Sequence, residues 1–156
     1  LNAKNAPMGG TQFELMEPGT YPARVVGVVD CGLQPQSYGG EEKAPKQELA
    51  FTYEFVDTFL KDEDGQELTD KPRWLTESMP LNNIDSEKAK STARYKAMDP
   101  TGALAVDFSK VVGIPVSVTV IHNPGKGKNT GKTFENIANV SAMRPKDVEK
   151  LAPLVN

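Results

Sequence analysis

The chain has 156 residues, of which 38% are hydrophobic and 25% charged, and it contains 12 prolines and 13 glycines. This length fits one domain with a hydrophobic core, and the many prolines and glycines favour a β-rich domain over a helical bundle. No apolar run approaches the roughly 20 residues that cross a bilayer, and the pattern of a signal peptide is missing. Cys31 is the single cysteine, so we expect no internal disulfide, a buried unreactive thiol and a cytoplasmic location.

The net charge of −3 is small, but the charges are unevenly distributed. Residues 57–70 contain six acids and one lysine, whereas residues 123–134 contain three lysines and no acid. A weakly acidic protein can still bind phosphate groups if its positive charge is gathered in one place. The net charge therefore neither favours nor excludes nucleic acid as a ligand.

Alternation of apolar and polar residues, together with a β-branched run over residues 21–31 that is apolar on both parities, predicts five strands. Residues 1–18 have no periodicity and are expected to form a flexible arm. The clearest strand covers residues 47–56, whose apolar side chains share one parity, as in a strand with one buried face. Its aromatic residues are expected in the core: Phe51, Tyr53 and Phe55. The other predicted strands cover residues 21–31, 73–81, 116–120 and 133–143.

Helical spacing replaces this alternation between the third and fourth strands. A helix is predicted over residues 86–98, with Asp85 as its N-cap and Pro100 as its stop. A second short helix is predicted over residues 103–112. The tail after residue 145 has one possible helical turn.

Two long connections complete the prediction. Residues 32–46 are expected to form a polar 1–2 loop, and residues 123–132 a 4–5 loop rich in glycine and lysine. Asp64-Gly65 indicates a hairpin between strands 2 and 3. The order of three strands, helix and two strands is that of the OB-fold, a five-stranded, partly open barrel. We therefore expect a mainly β protein with an OB-fold domain over residues 19–145 and a short tail over residues 146–156.

Two motifs that suggest ligand chemistry are incomplete. Gly131-Lys132-Thr133 resembles the end of a phosphate-binding loop, but Lys126 occupies the position of the required earlier glycine, and a strand follows in place of a helix. The acidic turn at residues 62–65 resembles half a calcium loop, but its first and twelfth positions would be Leu60 and Lys71. We expect a solvated hairpin there.

No catalytic set of residues emerges from the sequence. His122 is the only histidine, and no carboxylate or nucleophile is clearly placed to work with it. One histidine and one cysteine cannot form a zinc site of the His/Cys type. We expect a structural role for His122, no enzymatic activity, and no metal or cofactor.

Proteins that bind single strands combine a basic groove for the phosphates with aromatic faces for the bases. The two loops carry the cations that we expect to contact DNA, which are Lys126, Lys128 and Lys132 on the 4–5 loop and Lys43 and Lys46 on the 1–2 loop. The helix carries a second basic set, expected to be a solvated face: Lys88, Lys90, Arg94 and Lys96.

Trp74 is the main aromatic candidate for base stacking. If Leu75, Met79 and Leu81 point inward, parity turns Trp74 outward on the same face as the small polar residues Thr76 and Ser78. A tryptophan that seals the barrel is the alternative. Tyr38 in the 1–2 loop and Phe134 beside the 4–5 loop are secondary candidates.

Three segments resemble bacteriophage single-stranded DNA-binding proteins with an OB-fold. Residues 19–30 (GTYPARVVGVVD) resemble the family's opening strand, residues 51–57 (FTYEFVD) its second strand, and residues 133–141 (TFENIANVS) its last. The resemblance covers about residues 19–145 and rests mainly on scaffold residues. It implies sequence-tolerant binding of single-stranded DNA during phage replication or recombination, in the cytoplasm of a bacterial host, with replication or recombination proteins as possible partners.

A protein-interaction or structural β-module without nucleic-acid binding is the alternative function. In that case the acidic segment of residues 57–70 and the sheet edges would make the contacts. The acidic segment would repel DNA if it lay near the binding groove, so its place in the fold bears on the choice.

Overall fold

A computed structural model of the protein describes residues 14–151, which form a mainly β structure with one five-stranded antiparallel sheet. The strands are β1 (Gly19–Tyr38), β2 (Glu41–Lys61), β3 (Glu67–Pro80), β4 (Pro115–Pro124) and β5 (Thr133–Ala142). The helices are α1 (Lys90–Met98) and α2 (Pro145–Val148), and single 3₁₀ turns lie at Phe108–Lys110 and Gly127–Asn129. The predicted order of three strands, helix and two strands is confirmed.

Alternating side chains from the strands build the core on one face of the sheet. On β2 the predicted inward set is fully buried: Phe51, Tyr53 and Phe55. Alternate valines of β4 belong to the same core: Val116, Val118 and Val120. Tyr95 of α1 and Phe108 cover this core, with their ring centroids 5.0 Å apart. Burial of these aromatic and branched side chains supplies the main driving force for folding.

The strand order is β3-β2-β1-β4-β5, which leaves β3 and β5 as the two edges. Over residues 14–151 these edges do not pair and the sheet does not close, so the expected barrel is not confirmed. We call the gap between β3 and β5 the seam. Arg73 of β3 bridges it by an ion pair with Glu135 of β5, with Nη2 and Oε1 2.9 Å apart.

Residues 14–17, which belong to the described part (14–18) of the expected N-terminal arm, lie beside the seam. Met16 is buried in the core, its backbone N–H donates to Glu135 Oε2 at 2.8 Å, and its carbonyl oxygen lies 2.6 Å from His122 Nε2. Tyr21 donates its hydroxyl to the carbonyl of Glu17 at 2.6 Å. Residues 1–13 lie outside the described residues.

The predicted 1–2 loop is instead a strand hairpin. Ladder pairs continue to Tyr38 and Glu41, and only Gly39 and Gly40 turn the chain, with φ angles of 59° and 84°. Positive φ at both turn residues suits a two-residue hairpin. The prediction was wrong because a ribbon that is exposed on both faces shows no apolar alternation.

Helix α1 begins at Lys90, four residues later than predicted. Asp85 is not its N-cap, because successive turns separate Asp85 from the start of the helix. In the first of these turns the Ser86 N–H donates to the Asn83 carbonyl at 2.9 Å. Thr92 Oγ1 donates to that same carbonyl at 3.2 Å. These contacts hold residues 83–89 in turns and delay the helix.

The second predicted helix, over residues 103–112, is absent from the described structure. Ala105 and Val106 adopt φ angles of 53° and 63°, which a right-handed helix does not allow. Only Phe108–Lys110 forms a 3₁₀ turn, begun by Asp107, whose side chain accepts the Ser109 N–H at 2.9 Å.

A buried ion pair fixes α1 to the sheet. Glu77 of β3 accepts hydrogen bonds from Arg94 Nε at 2.8 Å and from the Tyr53 hydroxyl at 2.7 Å. The side chains of Arg94 and Glu77 are only 5% and 7% exposed, and Lys90 Nζ lies 3.2 Å from Glu77 Oε1. Burial raises the pKa of Glu77, but hydrogen bonds from Arg94 and Tyr53 and the charges of Arg94 and Lys90 outweigh it, so the pKa is lowered.

We predict that Arg94→Met lowers the free energy of unfolding by about 3 kcal/mol or more, because it leaves the Glu77 carboxylate buried without its main partner. Urea unfolding measures the loss. Lys96→Met, an exposed position on the same helix, is the matched control and should change stability by about 0.5 kcal/mol or less. A loss in Arg94→Met no larger than in the control would contradict the role of the ion pair.

The lowered pKa of Glu77 also predicts a pH dependence. The unfolded carboxyl titrates near 4.5, so the stability from this group is complete above that pH and is lost as the pH falls through the folded value. Glu77→Gln removes this titration and should lose less stability on acidification. Urea unfolding of both proteins from pH 7 downward measures the two slopes, and equal slopes would contradict the prediction.

Candidate nucleic-acid interface

The face of the sheet opposite the core, which we call the outer face, carries small side chains on β2 and on the edge strand β3. Thr52 of β2 pairs with Thr76 of β3, and their hydroxyl oxygens lie 2.8 Å apart. Ala50 and Ser78 form the next row. These short side chains leave a shallow surface across β2 and β3, over which a flat ring could lie.

Trp74 lies on the outer face, as parity predicts, and is 50% exposed. Its indole Nε1 donates to Glu54 Oε1 at 3.0 Å, and Glu54 is only 2% exposed. On the side of β2 away from Trp74, Glu54 is paired in register with Arg24 of β1. Arg24 donates a hydrogen bond from Nη1 to the Gly113 carbonyl at 3.2 Å. Exposure at this level does not fit a tryptophan that seals the core, whereas a stacking role needs an accessible ring.

The sequence did not indicate the contacts of Glu54 and Arg24, whereas it predicted that Thr76 lies on this face. Glu54 alternates with Phe55 and so resembled an ordinary solvated glutamate. Its contact with Trp74 depends on the register Glu54↔Trp74 between β2 and β3, which local patterns do not specify. The only signal in the sequence was that two short polar residues, Thr76 and Ser78, share the outward parity of Trp74.

Lys43 and Lys46 lie on the hairpin between β1 and β2, and both are exposed. Lys46 has the same parity along β2 as Thr52 and Glu54, which lie on the outer face. On β1 its partner is Gln34, and the partner of Lys43 is Gln36. Directly opposed residues share a face of a sheet, so both lysines belong to the outer face. Lys43 also forms an exposed ion pair with Glu41 at 3.3 Å.

Tyr38, a secondary candidate, ends strand β1. Its backbone is described, but its side chain lies outside the described part of the structure. Its proposed contact with a base is therefore still a prediction.

Lys126, Lys128 and Lys132 are all exposed on the 4–5 loop. The loop is a compact turn, in which the Gly125 N–H bonds to the Lys132 carbonyl at 2.8 Å and the Asn129 N–H bonds to the Lys126 carbonyl at 3.0 Å. A side chain at residue 125 would collide with the Asn129 carbonyl. Glycine is therefore required there, and the lysines project from a shaped loop. Phe134 follows at the start of β5 and is 42% exposed.

The two lysine sets lie at opposite ends of the sheet. Because neighbouring strands are antiparallel, the hairpin between β1 and β2 is at one end. The hairpin between β2 and β3 and the 4–5 loop are both at the other. The acidic residues 57–70 thus share an end with Lys126, Lys128 and Lys132, and they reduce the attraction of that end for phosphate.

The basic set on the helix is divided by the structure. Arg94 is buried against Glu77, and Lys90 contacts the same carboxylate, so neither is a free surface cation. Lys88 and Lys96 are exposed, as expected for a solvated face.

Cys31 was expected to be buried and is not, whereas His122 has the structural position that was expected. Cys31 is partly exposed, not buried, because it lies at a register shift of β1 between Asp30 and Gly32. His122 lies near the end of β4 and contacts the Met16 carbonyl, which is a structural role for this ring.

Among residues 14–151, no group of three or more His, Cys, Asp or Glu side chains is arranged to hold a metal ion. Over the same residues, no helix has the length and apolar character needed to span a membrane.

Comparison with known proteins adds no family to this description. No protein-family model matches the chain, and no curated protein matches it significantly. The resemblance to phage single-stranded DNA-binding proteins therefore stays an expectation from the sequence.

Proposed function

We propose that this protein binds single-stranded DNA with little sequence preference, on the outer face of β2 and β3, and that it is not an enzyme. The observation that carries the proposal is the half-exposed ring of Trp74 on a shallow surface of small polar side chains. Stacking of bases on such a ring tolerates any sequence because every base has a π-face. Duplex DNA would not offer its bases to this surface, since they are already stacked and paired.

We propose further that the sheet is an open form of the OB-fold. Three observations support this: the strand order β3-β2-β1-β4-β5, the helix between β3 and β4, and the Arg73–Glu135 ion pair across the seam. Hydrogen bonding between β3 and β5 would complete the barrel. In OB-folds, strands 2 and 3 and the 1–2 and 4–5 loops form the binding surface.

The strand of DNA would run across Trp74 from the hairpin of Lys43 and Lys46 toward the 4–5 loop. Lysines attract phosphates as point charges without reading bases, which suits sequence-tolerant binding. The phage resemblance adds a role in replication or recombination, with other proteins of those processes as partners.

A protein-interaction module is the second candidate. The observation that favours it is the acidic hairpin between β2 and β3, which lies at the same end of the sheet as Lys126, Lys128 and Lys132 and would repel a DNA backbone there. A mobility shift with single- and double-stranded oligonucleotides separates the two candidates, since an interaction module should retard neither.

We predict that Trp74→Ala weakens binding to oligo-dT by about 1–3 kcal/mol with little change in folding, because one stacked base is lost. In the wild type, oligo-dT should quench the fluorescence of Trp74, the only tryptophan in the chain. Titration by fluorescence and by mobility shift measures both effects. Val112→Ala, an exposed apolar position outside the strands of the sheet, is a control for general loss of apolar surface. Unfolding of Trp74→Ala would instead support the sealing role.

We predict that alanine at Lys126, Lys128 and Lys132 makes the slope of log affinity against log salt shallower by about 2, at roughly 0.7 per phosphate contact on a single strand. Alanine at Lys43 and Lys46 should reduce it by about 1.4 on the same basis. Affinity for unrelated sequences should fall equally. Titrations at several salt concentrations give both slopes. An unchanged slope in either variant would remove that end of the sheet from the DNA path.

A further inference from the structure

Trp74 presents its ring from a fixed position, and the contact that fixes it is polar. On the outer face, the indole N–H points to Glu54 Oε1 at 3.0 Å, while the ring is half-exposed. A half-exposed tryptophan without such a contact would rotate among several rotamers, and ordering it on binding would cost entropy. Glu54 is buried and sits on β2, the second strand of the sheet, so it provides a rigid acceptor.

We infer that Glu54 is a positioning residue that holds the Trp74 ring in its base-stacking orientation, and this inference rests on the proposed function. The indole N–H is the only hydrogen-bond donor of a tryptophan side chain. With that donor engaged by Glu54, Trp74 offers a ligand its π-face and edge carbons but no donor to a base. Tolerance of sequence at this position therefore follows from the same contact that orders the ring.

The row across the sheet supports this role. Trp74, Glu54 and Arg24 are register partners on β3, β2 and β1. The adjacent row is closed by the Thr52–Thr76 hydroxyl contact at 2.8 Å. Glu54 is thus held between neighbours on both strands, and its carboxylate is directed to the indole and not to solvent.

The first test measures the ring itself, without DNA. Because Trp74 is the only tryptophan, fluorescence anisotropy reports its motion alone. Glu54→Leu removes the acceptor and should give a faster local decay of anisotropy in the folded protein, whereas Glu54→Gln keeps an oxygen acceptor and should restore the slow decay. Thr52→Val, which breaks the neighbouring hydroxyl contact on the same face, is the matched control and should leave the decay unchanged.

The second test measures binding to oligo-dT in a double-mutant cycle. Glu54→Leu should weaken binding about 2- to 10-fold, the cost of ordering one free side chain on binding, and Glu54→Gln should recover most of it. In a Trp74→Ala background, Glu54→Leu should have no further effect, because Glu54 acts through the ring. Urea unfolding of each variant identifies any loss that comes from stability.

The outcomes separate the inference from the proposed function. Unchanged anisotropy in Glu54→Leu, or an equal loss of affinity with and without Trp74, would overturn the positioning role even if the protein binds DNA. Oligo-dT affinity that is unaffected by Trp74→Ala would overturn stacking as the proposed binding mode, whatever the anisotropy shows. If Glu54→Leu is too unstable to measure, Glu54→Met with the same two readouts replaces it.

Discussion

Glu77 of β3 and Arg94 of α1 form a buried ion pair that ties the helix to the sheet. Removing two charges from water is costly, and the pair is tolerable only because Arg94 donates two hydrogen bonds and Tyr53 a third to the same carboxylate. Ionic groups of this kind have one satisfactory arrangement, whereas apolar contacts have many. We infer that the pair sets the register of α1 on β3 and thereby supports the aromatic contact of Tyr95 with Phe108.

The sequence predicted the parts of the fold in which a single face is buried. Along β2, apolar side chains that point into the core alternate with side chains on the outer face. This alternation identified the strand and its core side chains, which are Leu49, Phe51, Tyr53 and Phe55. The polar ribbon of residues 32–46 gave no such signal, since both its faces are wet. Glu77 was overlooked for a related reason: it has the parity of Leu75 and Met79, but its charge suggested exposure, and its partner Arg94 lies 17 residues away.

The candidate site was predictable to a similar extent. Parity alone turned Trp74 outward, because Leu75 and Met79 fix the direction of β3. The pairing of Trp74 with Glu54 required the register between two strands, which depends on the whole hairpin. The two lysine sets lie at opposite ends of the sheet, and only the strand directions show this. In the sequence Lys43 and Lys126 both belong to predicted loops, so their separation could not be predicted.

The open seam has a consequence for how the molecule exchanges its amide hydrogens. Within residues 14–151, strands β1, β2 and β4 each have neighbours on both sides, whereas β3 and β5 each leave one row of backbone groups without a strand partner. The seam is held by the ion pair of Arg73 with Glu135 and by the packing of α1. We expect such side-chain contacts to open at a lower free energy than a ladder of backbone hydrogen bonds. In deuterated water, β3 and β5 should therefore lose protection first, and β1 should keep it until the whole domain unfolds.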